Sequence, residues 1–148
     1  MTDNVKKLVD CSRTYQRTGE ALLERAHVLY FDDGTMDYSD YNLAIGLHAN
    51  LMLAAQNLNN AATHLITAQL AGELPKILAA TTELQNVSKK IEMVGNVISI
   101  VGKLVVAVAA IAASVTNPAG IPAAVSAVAV VVAEINKQAA DKPPAKAG

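Results

Sequence analysis

Residues 104–133, LVVAVAAIAASVTNPAGIPAAVSAVAVVVA, carry no charged side chain over thirty consecutive positions. Apolar surface left in water costs roughly 25 cal/mol per Å², so such a stretch must be covered, by protein or by lipid. Asn117, Pro118, Gly120 and Pro122 interrupt it, and Pro and Gly at this spacing close one helix and open the next. The stretch therefore reads as an apolar helical hairpin, around which the rest of a 148-residue chain has to be arranged. That length fits one domain.

The aromatic residues Tyr15, Tyr30, Phe31, Tyr38 and Tyr41 all lie in the first 41 positions. Everything after them packs with aliphatic side chains, which favours helix on helix. A net charge of −1 and arginines only at 13, 17 and 25 give no basic stripe for phosphate backbones, and nucleic acid is excluded as a partner. Cys11 is the only cysteine, which excludes an intrachain disulfide framework and a Cys-based zinc site. The start, MTDNVKKLVDCSR, lacks the apolar run of a cleaved secretory signal. The expected location is cytoplasmic, or outside the cell by a non-classical route, with membrane association open.

Apolar side chains recur at three- and four-residue steps in four segments, at about 3–30, 39–70, 75–115 and 119–138. Between the first two, YFDDGTMDYSDY supplies turn chemistry: Gly34 allows positive φ, and Asp37 or Ser39 caps the next helix. Pro75 suits the first turn of the third segment. That segment carries heptads, with Ile77, Leu84, Ile91, Ile98, Val105 and Ala112 at a, and Ala80, Val87, Val94, Val101, Val108 and Val115 at d. A continuous helix from Ile77 to Val115 would be about 58 Å long at ~1.5 Å per residue. Its e positions, Thr81, Ser88, Gly95, Gly102 and Ala109, are small and predict close helix packing, with Ser88, Gly95, Gly102 and Ala109 as the contact stripe. The expectation is all-α: an elongated up-down four-helix bundle, residues 1–140, with one long heptad helix and an apolar C-terminal hairpin, followed by a disordered tail at 141–148.

Catalytic and metal signals are weak. Glu24 and His27 have di-iron spacing, but the heptad frame that puts Val5, Ser12, Gly19 and Ala26 inward turns them outward. In FDDGTMDYSD, alignment on Gly34 puts Leu29 and Phe31 where a calcium loop needs oxygen ligands. His48 lies on an apolar stripe and reads as a core histidine. There is no phosphate loop and no nucleophile elbow. The expectation is a non-enzyme with no cofactor, no metal and no small-molecule substrate.

The hairpin, with Val94, Ile98, Val101, Lys103, Val105, Val108, Ile111, Val115, Pro118, Ile121, Val125, Val128 and Val132 as its contact residues, is the expected membrane or partner element. A spanning helix needs ~20 apolar residues, and the charge-free arms 104–115 and 121–133 fall short. Extension back to Val94 is long enough but brings in Lys103, at position f, which would snorkel or face a lumen. Lys89, Lys90, Lys137, Lys142 and Lys146 flank the hairpin, as if both ends lay on one side of a membrane. In an up-down bundle, the bend would emerge beside the aromatic loop of Tyr30, Phe31, Tyr38 and Tyr41.

The segment VGNVISIVGKLVVAVAAIAASVTNPAGIPAAVSAVAVVVAEI resembles the hydrophobic head of α-helical pore-forming toxins of the cytolysin A and tripartite haemolysin type. The likeness is compositional, covers about 45 residues of a much shorter chain, and implies a concealed hairpin that inserts on oligomerisation. Two readings follow: a membrane-active bundle that inserts its hairpin as an oligomer, or a soluble structural or adaptor protein of a secretion or phage-like assembly that buries the hairpin against copies of itself or a protein partner.

Overall fold

The computed structural model describes residues 3–63 and 68–141, and the tail expected at 141–148 lies outside them apart from Asp141. The described chain is all-α and without strands, and it forms five long helices rather than four. These are α1 (Asp3–His27), α2 (Tyr38–Ala62), α3 (Ala68–Val87), α4 (Val97–Thr116) and α5 (Ile121–Ala140). A π-helical turn, Val28–Asp32, extends α1. Short 3-10 segments, Ser88–Met93 and Pro118–Gly120, precede α4 and α5.

Two expectations about the third segment are corrected. Pro75 lies inside α3, which begins at Ala68, and does not open a helix. The long heptad helix is broken: after the 3-10 segment, Val94 is extended (φ −76°, ψ 144°) and Asn96 starts α4 anew, its side chain accepting the Ser99 amide at 3.2 Å. That is a helix N-cap. The fold-back lets α4 bury its inward side against α2, α5 and α1, which a helix running about 58 Å past the bundle would leave in water. It also shifts the face in use: α3 buries Leu70, Leu74, Ile77, Thr81 and Leu84, whereas in α4 the former a positions Ile98, Val105 and Ala112 are only half-buried.

Hydrogen bonds give the helix directions. Ser12 Oγ donates to the Ala55 carbonyl at 2.7 Å, and His27 lies edge-on to Tyr41, so α1 and α2 are antiparallel. Tyr15 pairs with Thr81 at 2.7 Å and Arg25 Nε donates to the Val94 carbonyl at 2.9 Å, so α1 and α3 run the same way. Ser99 and Lys103 both reach Glu134, so α4 and α5 are antiparallel. Direction thus alternates along the chain, but the neighbours do not follow chain order. Around the bundle the sequence of helices is α1, α2, α4, α5, α3, with α3 closing on α1. The α3–α4 connection crosses the end of α5 and is tied to it: Gln138 accepts from the Asn96 amide at 2.8 Å and donates to its carbonyl at 3.1 Å, and Lys90 donates to Asn136 at 2.8 Å.

The side-chain approach expected along the e positions is absent: a Cβ added at Gly95 or Gly102 would meet nothing within 4 Å, Ala109 is exposed, and Ser88 is half-buried. The break at Val94–Asn96 and the turned face of α4 carry that stripe away from its neighbours. The close approach is at Gly19 instead, where an added Cβ would sit 2.5 Å from Leu51 Cδ2 and 2.9 Å from Met52 Cε. Leu51 is fully buried and has little room to yield. Gly19→Val should therefore cost about 1–3 kcal/mol by overpacking, read as a lowered urea midpoint.

Tyr15 is fully buried. Because Thr81 spends its proton on the Ile77 carbonyl at 2.9 Å, Tyr15 is the donor of the pair. Burial pushes its phenol well above the usual value, and pushes the Cys11 thiol up as well. Both raised groups favour the folded state only while the unfolded chain stays protonated. Stability should accordingly fall from about pH 8.5, where an unfolded Cys ionises, and more steeply past about 10, where an unfolded Tyr does. Urea titrations of Tyr15→Phe, about 1 kcal/mol less stable at neutral pH, should lack the steeper part.

Candidate functional site: the α4–α5 hairpin

Among the described residues, two helices are long and apolar enough by length and composition to cross a membrane, Val97–Thr116 and Pro118–Ala140, which are the two arms of the hairpin. Their inward residues, including Val101, Val108, Ile111, Val115, Ile121 and Val128, are fully or almost fully buried, as is Val94 at the stem. Ile98, Val105, Val125 and Val132 are half-buried at the flanks, with Lys103 and Pro118 similarly placed. α4 packs most extensively on α2, then on α5, and also touches α1.

The bend and the aromatic loop do not share an end of the bundle. Arg25 at the top of α1 holds Val94, just before α4, so α4 starts beside the aromatic loop and descends away from it. The bend at Pro118–Gly120 sits at the far end and touches α3, which starts there. The expected juxtaposition failed because the break at Val94–Asn96 reverses the direction of α4. The aromatic residues form their own cap: Tyr30 and Tyr41 stack with centroids 4.5 Å apart, Phe31 meets Tyr41 edge-on at 5.4 Å, and Tyr38 lies 6.2 Å from Tyr30. Gly34 at φ 66° and the N-cap of Asp37 on the Asp40 amide, 2.8 Å, shape the loop beneath them.

Lys103 does lie off the buried seam, yet it is not solitary. Its Nζ is 2.7 Å from Glu134 Oε1, which also accepts from Ser99 Oγ at 3.2 Å. The hydrogen bond from Lys103 holds the Glu134 carboxyl below the ordinary carboxylate range, against the opposing effect of burial. The pair joins the two arms about 9 Å from the start of α4, at ~1.5 Å per residue. Beside it, an open groove of about 550 Å³ runs between the arms, lined by Ile98, Ser99, Gly102, Lys103 itself, Val106, Ala127 and Val130.

Beyond the Lys103–Glu134 pair the exposed side of the hairpin is as free of charge as its buried side. Val106 and Val130 are 65% and 50% exposed, beside exposed Ala109, Ala113, Ala123 and Ala129. A helix of a soluble bundle normally carries charged and polar residues on that side. His48 Nε2 is buried without a hydrogen-bond partner. No group of three or more His, Cys, Asp or Glu side chains among the described residues is arranged to hold a metal ion.

Glu134 is depressed by its partner, so its contribution to stability is present above the ordinary carboxylate pKa and is lost as pH falls through the depressed value. Urea midpoints measured from pH 7 to 2 should show this component in the native chain and lose it in Glu134→Gln. Lys103→Leu should bring the loss to higher pH, with a coupling of at most about 1 kcal/mol in a double-mutant cycle, because Lys103 is partly solvated. Comparison with protein-family models, curated proteins and solved structures returns no match, so function has to be argued from this hairpin's own chemistry.

Proposed function

We propose that the protein is a membrane-active helical bundle, a pore-forming toxin or effector component, whose α4–α5 hairpin enters a bilayer as an oligomer. One observation carries this reading: from Leu104 to Ala133 neither the buried nor the exposed side of the hairpin bears a charge. A hairpin with only one apolar side suits a protein core. One that is apolar all round also suits hydrocarbon.

The dimensions agree. Each arm has 20 residues, about 30 Å at ~1.5 Å per residue, which matches a hydrocarbon core of ~30 Å. An isolated lysine at the centre of that core would cost ~2.5–3.5 kcal/mol. Lys103 is paired with Glu134 and stands near the stem, at a depth where long side chains reach the headgroups. Lys89, Lys90 and Lys137 lie on the stem side, and the bend that would lead the way is uncharged. In such an oligomer Lys103 either lines the lumen or sits at the interface.

Flotation of the full-length chain with anionic and zwitterionic liposomes, together with dye release, tests the reading. The native chain should float and cause leakage. Ala113→Asp and Ala129→Asp, at exposed positions where surface changes usually stay within about ±0.5 kcal/mol, should keep the melting temperature and lose most of the leakage. A native chain that leaves liposomes intact, or charged variants that leak as well as it does, would remove the membrane role and favour the soluble assembly reading.

A further inference from the structure

A second run of the sequence also lacks Lys, Arg, Asp and Glu: residues 41–72, which include almost all of α2. The helix order places α2, α4 and α5 side by side. The uncharged part of α2, from Tyr41 to Ala62, therefore lies beside the uncharged hairpin. The formal charges of the described residues fall on α1, α3 and the 3-10 segment after it, the aromatic loop together with Asp40 in the first turn of α2, and the stem-side parts of α4 and α5.

The exposed large hydrophobic side chains follow the same division. Leu43 and Leu53 on α2, Val106 on α4 and Val130 on α5 are exposed on these uncharged helices, Ile45 shares the flank of α2 that carries Met52 toward α1, and Phe31, Tyr38 and Met93 lie at the top. Between them α2 presents Asn50, Gln56 and Asn57. Side-chain amides are poorly placed in hydrocarbon, where they find no partner. Depletion of Lys, Glu and Asp is one of the features that distinguish a protein interface from the rest of a surface.

We infer that this side, centred on α4 and flanked by α2 and α5, is the contact surface for a second copy of the chain, joined about a two-fold axis in water. Charge matching singles out the copy. Any of this chain's charged faces set against the uncharged one would strip water from Lys, Asp or Glu without offering them a partner, and the surface that avoids this cost is the same surface on another copy. A two-fold pair is isologous, so one patch serves both sides. The size suffices: helices about 30 Å long, spaced ~10 Å apart, give a face of roughly 30 Å by 25 Å, or about 750 Å², against the ~800 Å² per partner of a standard interface. The open groove between the arms, lined by Ile98, Ser99, Gly102, Lys103, Val106, Ala127 and Val130, gives the opposing helix a seat in which the one charged side chain, Lys103, already has Glu134 as its partner. This inference does not depend on the membrane reading; it states what covers the hairpin's outer side before any lipid is met.

Sedimentation velocity and light scattering on the full-length chain in lipid-free buffer, from about 1 to 100 μM, test it. The native chain should be a dimer in the upper part of that range, with a melting temperature that rises with concentration. Leu53→Lys and Val106→Glu, at side chains 58% and 65% exposed, should each weaken association at least 100-fold while their helical circular dichroism stays native. Thr82→Lys, exposed on the charged side, should leave the dimer intact. A native chain monomeric at 100 μM overturns the inference, as does a dimer that withstands both Leu53→Lys and Val106→Glu. A monomer that still floats and leaks liposomes assigns the uncharged side to lipid and leaves the membrane reading standing. A dimer that never leaks keeps the interface and removes the membrane reading.

Discussion

A helix with no charge in its last thirteen residues, 104–116, has to be covered over most of its circumference, and the bundle is arranged to do so for α4. Side chains such as Leu104, Ala107, Val108 and Ile111 are fully buried against α2, α5 and α1. At roughly 1.5–3 kcal/mol for each fully buried aliphatic side chain, this seat outweighs any single polar contact in the molecule. The helix order follows from it: α2 and α5 flank α4, and α3 is displaced to the far side of α5.

That displacement explains the polar chemistry at the stem. Once α3 and α4 are separated by α5, the chain must cross over the end of α5, and its backbone groups need partners there. Gln138 answers both the amide and the carbonyl of Asn96, and Arg25 answers the carbonyl of Val94. Lys90 with Asn136, and Lys103 with Glu134, add ties on either side. Polar ties thus cluster where the topology interrupts a helix, while the shafts pack mainly through apolar side chains, with Ser12–Ala55 and Tyr15–Thr81 as buried polar contacts between them.

Much of this was legible in the residues. Turn chemistry at Gly34 and Asp37, the hairpin bend at Asn117–Pro122 and the all-α class follow from local rules that tertiary packing had no reason to override. The continuous heptad helix did not survive, because its regularity beyond Leu104, where nearly every residue is apolar and any register satisfies a and d, says nothing about the break upstream at Val94–Asn96. Periodicity in such a stretch carries no information about where a helix stops. The cue was Gly95-Asn96, a helix-ending glycine followed by a capping asparagine, outweighed by the regularity around it. Pairing of Lys103 with Glu134 was illegible, since 31 residues and a reversal of direction separate them. Glycine at position 19 became meaningful only against Leu51, and the uncharged run at 41–72 only once α2 stood beside α4.

Chain order and spatial order differ in a way that bears on synthesis. A ribosome delivers α1 to α4 before α5, yet α5 is the wedge between α3 and α4. Until residue 140 has left the exit tunnel, the apolar flank of α4 that α5 will cover is open and the crossing at Asn96 has no Gln138 to hold it. Between the emergence of Thr116 and that of Ala140, the chain's most water-averse helix is therefore half dressed. During that interval a chaperone, a membrane or another nascent copy competes with α5 for the same surface.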